Sequence, residues 1–104
     1  MEKQTFMVVE ATPNPENMED LKTYGSQSYA ILEKHGGVRV ANYNVESVLG
    51  SGLDSGEKPA LIGVFSFPSP EAIQNLLFND PDYQKLVPFR DKGFKSIRFF
   101  VCSE

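Results

Sequence analysis

Thr5-Phe6-Met7-Val8-Val9-Glu10-Ala11 is an apolar run rich in β-favouring residues, and it stops at Thr12-Pro13-Asn14-Pro15. A strand and then a turn are predicted. Asn14 has the chemistry of an N-cap, Pro15 suits the first helical position, and Glu16 faces the positive end of the helix dipole. Met18, Leu21, Gly25, Ser28 and Leu32 then recur at helical spacing, flanked by Tyr24, Tyr29 and Ile31. The small residues in the middle of that stripe predict close packing onto a sheet. Gly36-Gly37 supplies the left-handed stop.

Val38 to Leu49 alternates imperfectly and reads as a long second strand. The stretch from Gly50 to Pro59 is rich in glycine and polar residues and predicts a mobile connector. Gly50, Gly52 and Gly56 superficially suggest a phosphate loop, but the spacing, the strand-to-helix context and the lysine-serine ending are missing. Ala60 to Phe67 is the most apolar stretch and is the candidate central strand. Ser69-Pro70-Glu71 repeats the cap-then-proline start, and Ile73, Leu76 and Leu77 form the buried side of a second helix. Asp80-Pro81-Asp82 restarts a short helical turn with Tyr83, Leu86 and Val87, which Pro88 is expected to end or bend. Ser96 to Cys102 is a fourth strand.

The order strand, helix, strand, strand, helix, strand predicts one α+β domain over residues 1–104. Its expected form is a ferredoxin-like βαββαβ unit, a four-stranded antiparallel sheet with two helices on one face. The four strands are read as carrying apolar residues on both of their sides. Phe6 and Val8 oppose Met7 and Val9; Ile62 and Val64 oppose Leu61, Phe65 and Phe67; Ile97, Phe99 and Val101 oppose Phe100 and Cys102. Two helices cover one face only, and an antiparallel sheet open to water on the other alternates with polar residues. Leaving several such side chains wet forfeits many kcal/mol at about 25 cal/mol per Å² and exposes a sticky patch. A second copy of the chain, sheet against sheet, is the simplest cover.

Composition narrows the function. Ten Lys and Arg against fourteen Asp and Glu in 104 residues give a formal charge of −4, which argues against nucleic-acid and anionic-membrane partners. Lys92-Gly93-Phe94-Lys95-Ser96-Ile97-Arg98-Phe99 partly fits an RNA-binding signature, but Ser96 stands where a base-stacking aromatic is required. No apolar run approaches the length of a membrane span, and Met1 to Gln4 shows no secretory pattern. The single cysteine, Cys102, cannot form an internal disulfide, so a reducing, cytoplasmic setting is expected. One histidine and one cysteine make no metal-ligand cluster, and neither a metal nor a cofactor is expected. Haem on His35 is the one cofactor arrangement weighed against that expectation.

Three stretches carry a family resemblance: Glu33-Lys34-His35-Gly36-Gly37, Phe65-Ser66-Phe67-Pro68-Ser69-Pro70-Glu71-Ala72, and Asn79 to Arg90. In this order and spacing the chain resembles the DUF1330 family, small proteins of the dimeric α/β-barrel superfamily. The resemblance spans nearly the whole sequence and implies a ferredoxin-like protomer whose sheet meets a partner's sheet. It implies no particular chemistry, since superfamily relatives include cofactor-independent monooxygenases, lactone isomerases and haem proteins. Two positions depart from the family pattern: Asn42 lies where an arginine is frequent nearby, and Ser66 where a glutamate is frequent. Replacement of a charge pair on neighbouring strands by this smaller neutral pair is the expectation.

Candidate chemistry has two sides at each residue. His35 suits a general base near neutral pH, but a cation closing a helix at the negative end of its dipole is the favoured reading. Arg90 is placed to hold a carboxylate or enolate oxygen, or to pair with Asp82, Asp91 or Glu71. Tyr24, Tyr29, Tyr43 and Tyr83 either point a hydroxyl into a pocket or bury a ring and wet the oxygen. Asn42 and Tyr43 interrupt an apolar pattern and, with Tyr83, are the candidate ligand contacts. The expectation is a homodimer with a small cavity between sheet and helices, taking a small, partly apolar organic molecule. Catalysis there would be proton transfer or cofactor-free oxidation, with His35 and Arg90 as the catalytic pair. The alternative is a non-catalytic dimeric binding or interaction module. Convergence of these residues on one cavity favours the enzyme, and their scatter or engagement in ion pairs favours the module.

Overall fold

The pairing of the first strand decides the layering. In the computed structural model, which describes residues 4–50 and 59–104, β1 (Thr5–Pro13) lies between β3 (Leu61–Phe67) and β4 (Phe94–Ser103). The edge strand β2 (Val38–Asn44) pairs with β3, giving the order β2-β3-β1-β4 with every ladder antiparallel. This is the ferredoxin-like α+β arrangement. Residues directly across a ladder share a face. Met7 therefore stands with Phe65 and Val101, and Val9 with Gly63 and Phe99, while Val8 stands with Val64 and Phe100 on the opposite side.

The first of these faces carries the core. Met7, Ala11 and Phe67 from the sheet are buried together with Tyr24, Leu32, Ile73, Leu76, Tyr83 and Leu86 from the helices. The second face holds Phe6, Val8, Ile62 and Val64, all partly buried, and Phe100, which is exposed. An ion pair between Arg98 and Glu10, 2.8 Å long, interrupts it, with the Arg98 guanidinium over the Phe100 ring. Both faces of the sheet are apolar, as the strand patterns predict.

Asn14 caps as expected, its Oδ1 accepting the Glu16 N–H, but the cap opens a 3₁₀ turn, Pro15–Asn17, before the α-helix starts. The helix α1 runs from Met18 to Lys34. Gly36 ends it with φ of 85°, a conformation that glycine adopts without strain, and a Cβ there would meet the Pro68 ring. The second strand stops at Asn44, short of Leu49. As an edge strand it has one neighbour, and its ladder ends where Asn44 meets Leu61. One further backbone bond, Val45 N–H to Ala60 O, closes the pairing just after Pro59, which has no N–H to give. The expected connector at Ser51 to Lys58 lies outside the described residues.

The second helical region has three parts where one helix and a short turn were expected. Helix α2 (Pro70–Gln74) is capped by Ser69 Oγ, a π-helical turn continues over Asn75–Asn79, and α3 (Pro81–Gly93) begins under the Asp80 cap. Pro88 does not end α3. It removes one backbone bond and crowds the preceding turn, at a typical cost of about 3 kcal/mol. Buried Leu86 and Gly93 on either side of Pro88 hold the helix against the core.

The small residues of α1 also behave unexpectedly. Gly25 is exposed, and a Cβ there would find nothing within 4 Å, so it makes no close contact with the sheet. The close approach is instead between the two helices, where a Cβ on Gly93 would stand 2.8 Å from backbone atoms of Leu21.

Candidate functional site

A cavity of about 150 Å³ lies between α1 and the covered face of the sheet. Its floor is Met7, Val9, Phe65 and Phe99; its roof is Tyr24, Gly25, Ser28, Tyr29 and Leu32. Leu76 and Leu77 of the π-helical turn, Tyr83 of α3 and Arg39 of β2 line it as well. Gly25 and Ser28 are the small residues of that roof, and Gly25 is exposed to solvent. A second hollow of about 290 Å³ shares the walls Leu77 and Phe99. Phe78, which is 72% exposed, lines it too.

Two of the wall residues, Tyr24 and Tyr83, are phenols hydrogen-bonded to each other. The Tyr24 and Tyr83 hydroxyls are 2.8 Å apart and buried, and the two rings pack edge to face. Arg90 donates from Nη1 to the Tyr83 oxygen at 3.2 Å, with its guanidinium near the rings of Tyr83 and Phe99. Burial, reinforced by Tyr83, pushes the Tyr24 pKa far up, so Tyr24 is held neutral. Arg39 lies over the rings of Tyr29 and Phe65, two residues of the cavity wall, and its backbone N–H meets the Tyr29 hydroxyl.

His35 stands elsewhere. It is the C-cap of α1, and its Nε2 is 2.6 Å from Asp80 Oδ2. Lys34 reaches the same carboxylate oxygen at 3.1 Å and Asp82 at 3.2 Å. The other oxygen, Asp80 Oδ1, accepts the N–H groups of Asp82 and Tyr83 at the start of α3. The His35 bond holds the Asp80 carboxyl well below the usual range against the opposing pull of burial, helped by Lys34 and the two backbone donors. The cluster is a clasp between helix ends.

Of the five residues singled out in the sequence, Tyr83 lines the cavity, and Arg90 lines the second hollow and holds the Tyr83 oxygen. Arg90 also donates to Asp91 at 3.2 Å, one of the ion pairs expected for it. Asn42 sits opposite Gly63 on the helix-covered side of β2, and Tyr43 sits opposite Ile62 on the open side, 59% exposed. The two neighbours therefore cannot serve one ligand from the same face. Nor do Asn42 and Ser66 form a replaced pair: Ser66 is opposite Val38, three ladder steps away and on the other face. Arg39 was missed as a wall residue, because an arginine in an alternating strand gives no sign of which aromatic rings it will lie over. Among the described residues no group of three His, Cys, Asp or Glu gathers as metal ligands.

Residues 4–102 match the family described as "Domain of unknown function (DUF1330)". The chain belongs to that family. Among solved structures, this DUF1330 protein is similar to a protein of unknown function from Rhodopseudomonas palustris, with 22% identity and a TM-score of 0.75 over 98% of this chain and 82% of that one. It is also similar to a NIPSNAP-family protein of unknown function from Agrobacterium tumefaciens, at 12% identity and a TM-score of 0.61, covering 97% and 87% of the two chains. A Pseudomonas aeruginosa protein matches at 8% identity and a TM-score of 0.61, covering 100% and 96%. At these identities the likeness concerns the fold. No curated protein matches the DUF1330 sequence.

Proposed function

We propose that this DUF1330 protein is a cytoplasmic homodimer that binds a small, partly apolar organic molecule in the cavity between α1 and the sheet. The observation that carries this reading is the cavity itself: about 150 Å³, walled mostly by aliphatic and aromatic side chains, with Tyr24 and Tyr83, whose hydroxyls bond to each other, among its wall residues. Cavities of this size and character accept single-ring molecules, and a few placed polar groups in an apolar pocket are the usual means of orienting a ligand.

Binding is favoured over proton abstraction by the disposition of the bases. The imidazole of His35 is engaged by Asp80, and the described cavity walls hold hydroxyls and a guanidinium but no carboxylate or imidazole. Arg90 acts here as a positioning residue for Tyr83. Asn42 and Tyr43 are left to the β2 edge. Dimerisation is supported by the open face, where Phe6, Val8, Ile62 and Val64 form the centre of a patch that a second copy would cover. The cytoplasmic placement rests on the lone Cys102.

Purified protein, measured by native and then denaturing mass spectrometry, is expected to release a small organic molecule held at one per chain. Its affinity should fall at least tenfold when Ser28→Leu fills the cavity. A ligand retained equally by that variant would place binding elsewhere and overturn the reading.

A further inference from the structure

Resting on that reading of the cavity, we propose that Tyr24 donates its hydroxyl proton to the bound molecule, so that the site selects compact apolar compounds bearing a carbonyl-type hydrogen-bond acceptor.

The number of protons at the phenol pair points to this. Arg90 has only donors, so in its contact with Tyr83 the phenol oxygen accepts. The 2.8 Å contact between Tyr83 and Tyr24 uses one of the two phenol protons. One remains, and among the described residues neither hydroxyl has another acceptor. Two arrangements are available. In the first, Tyr83 accepts from Arg90 and donates to Tyr24, leaving the Tyr24 proton over; each oxygen then accepts once. In the second, Tyr24 donates to Tyr83, whose oxygen must accept twice while its own proton is left over.

The first arrangement is favoured. A charged donor on an oxygen polarises the O–H and strengthens the bond that it makes in turn, so the direction guanidinium to Tyr83 to Tyr24 is cooperative. Tyr24 is buried, at 9% exposure, and a buried donor without an acceptor is costly. Both phenols line the cavity, so a bound molecule is the natural source of that acceptor. The rest of the wall is mostly aliphatic or aromatic, which sets the remainder of the ligand as apolar.

The test is a cycle of two probes on two variants, read by isothermal titration. Benzonitrile carries an acceptor; toluene has similar size and shape and no comparable acceptor. Tyr24→Phe keeps the ring, its edge-to-face contacts with Tyr83 and Phe94, and the cavity shape. We expect Tyr24→Phe to weaken benzonitrile by about tenfold and to leave toluene within about twofold. Tyr83→Phe should weaken benzonitrile less, because the Tyr24 hydroxyl survives. In the infrared, the nitrile stretch of bound benzonitrile should lie higher in the wild type than in Tyr24→Phe, as it does when a nitrile accepts a hydrogen bond. Equal losses of the two probes, or a loss found in Tyr83→Phe alone, would overturn the donor assignment while leaving the cavity in use. Failure of both probes to bind the wild type would overturn the cavity reading and this inference with it.

Discussion

The Nε2 of His35 lies 2.6 Å from Oδ2 of Asp80, and the same carboxylate caps α3 through its other oxygen. One buried side chain thus fastens the end of α1 to the beginning of α3, and the cavity lies between those helices and the sheet. Asp80 is 5% exposed, so its charge persists because four donors surround it: His35, Lys34 and the N–H groups of Asp82 and Tyr83.

Acid should loosen this clasp. The Asp80 carboxyl is held below its ordinary range, first by His35. A carboxyl depressed by folding contributes stability that is fully present above the unfolded value, about 4, and is lost as pH falls below it toward the folded value. Asp80→Asn retains a good cap but loses the charge. Urea melts should show the wild type more stable than Asp80→Asn at pH 7, with the gap closing steadily from about pH 4 downward. A gap independent of pH would mean that the charge at Asp80 does not stabilise the fold.

Replacing the histidine separates clasp from catalyst. His35→Ala removes a hydrogen bond to a charged, buried partner, so thermal or urea unfolding should show a loss of about 1–3 kcal/mol. Probe affinity in the cavity should change less than twofold, and the dimer should persist, since His35 contributes little apolar burial. A variant of unchanged stability that no longer handles its ligand would return His35 to the site.

The clasp also marks how much of the molecule is legible in the sequence. Asn14, Ser69 and Asp80 each precede a proline, and all three cap as their chemistry dictates, because a cap is a local event. The strands were legible from their apolar runs, and the two-sidedness of the sheet from the parity of Phe6 and Val8 against Met7 and Val9. What escaped was tertiary. The His35–Asp80 contact joins residues 45 apart, and helix-end chemistry alone gives His35 the dipole but not this partner. The continuation of α3 through Pro88 depends on packing at Leu86 and Gly93, which overrides a local penalty. Gly25 and Ser28 read as a close-packing stripe, yet Gly25 is exposed, and the close backbone approach is that of Gly93 to Leu21 instead.

Gly25 within α1 and Gly93 against it should therefore respond with opposite signs. Gly25→Ala meets nothing within 4 Å and removes a flexible residue from a helix interior; it should stabilise by about 0.5–1 kcal/mol. Gly93→Ala drives a methyl into the Leu21 backbone, which cannot step aside as a side chain can, and should cost about 1–3 kcal/mol. Chemical denaturation of both variants checks the pair. Two destabilised variants would mean that the space beside Gly25 is not open.

The open face of the sheet can be tested at its centre. Val64 stands on β3 between Val8 on β1 and Ala41 on β2, in the middle of that face and away from the Glu10–Arg98 ion pair. If a second copy covers the patch, Val64→Lys places an ammonium in a desolvated centre, and the two-fold symmetry of a dimer sets it near its own image. Burying an unpaired charge costs far more than the burial of valine contributes, whereas a lysine on an open sheet reaches water at almost no cost. Sedimentation at micromolar concentration should accordingly give a dimer for the wild type and a monomer for Val64→Lys. The variant's circular dichroism should keep the native helix and strand content, because the core under α1 and α3 is on the other side of the sheet. A wild type that sediments as a folded monomer would remove the need for any cover, and the apolar residues at Phe6, Val8, Ile62 and Val64 would then require a different explanation.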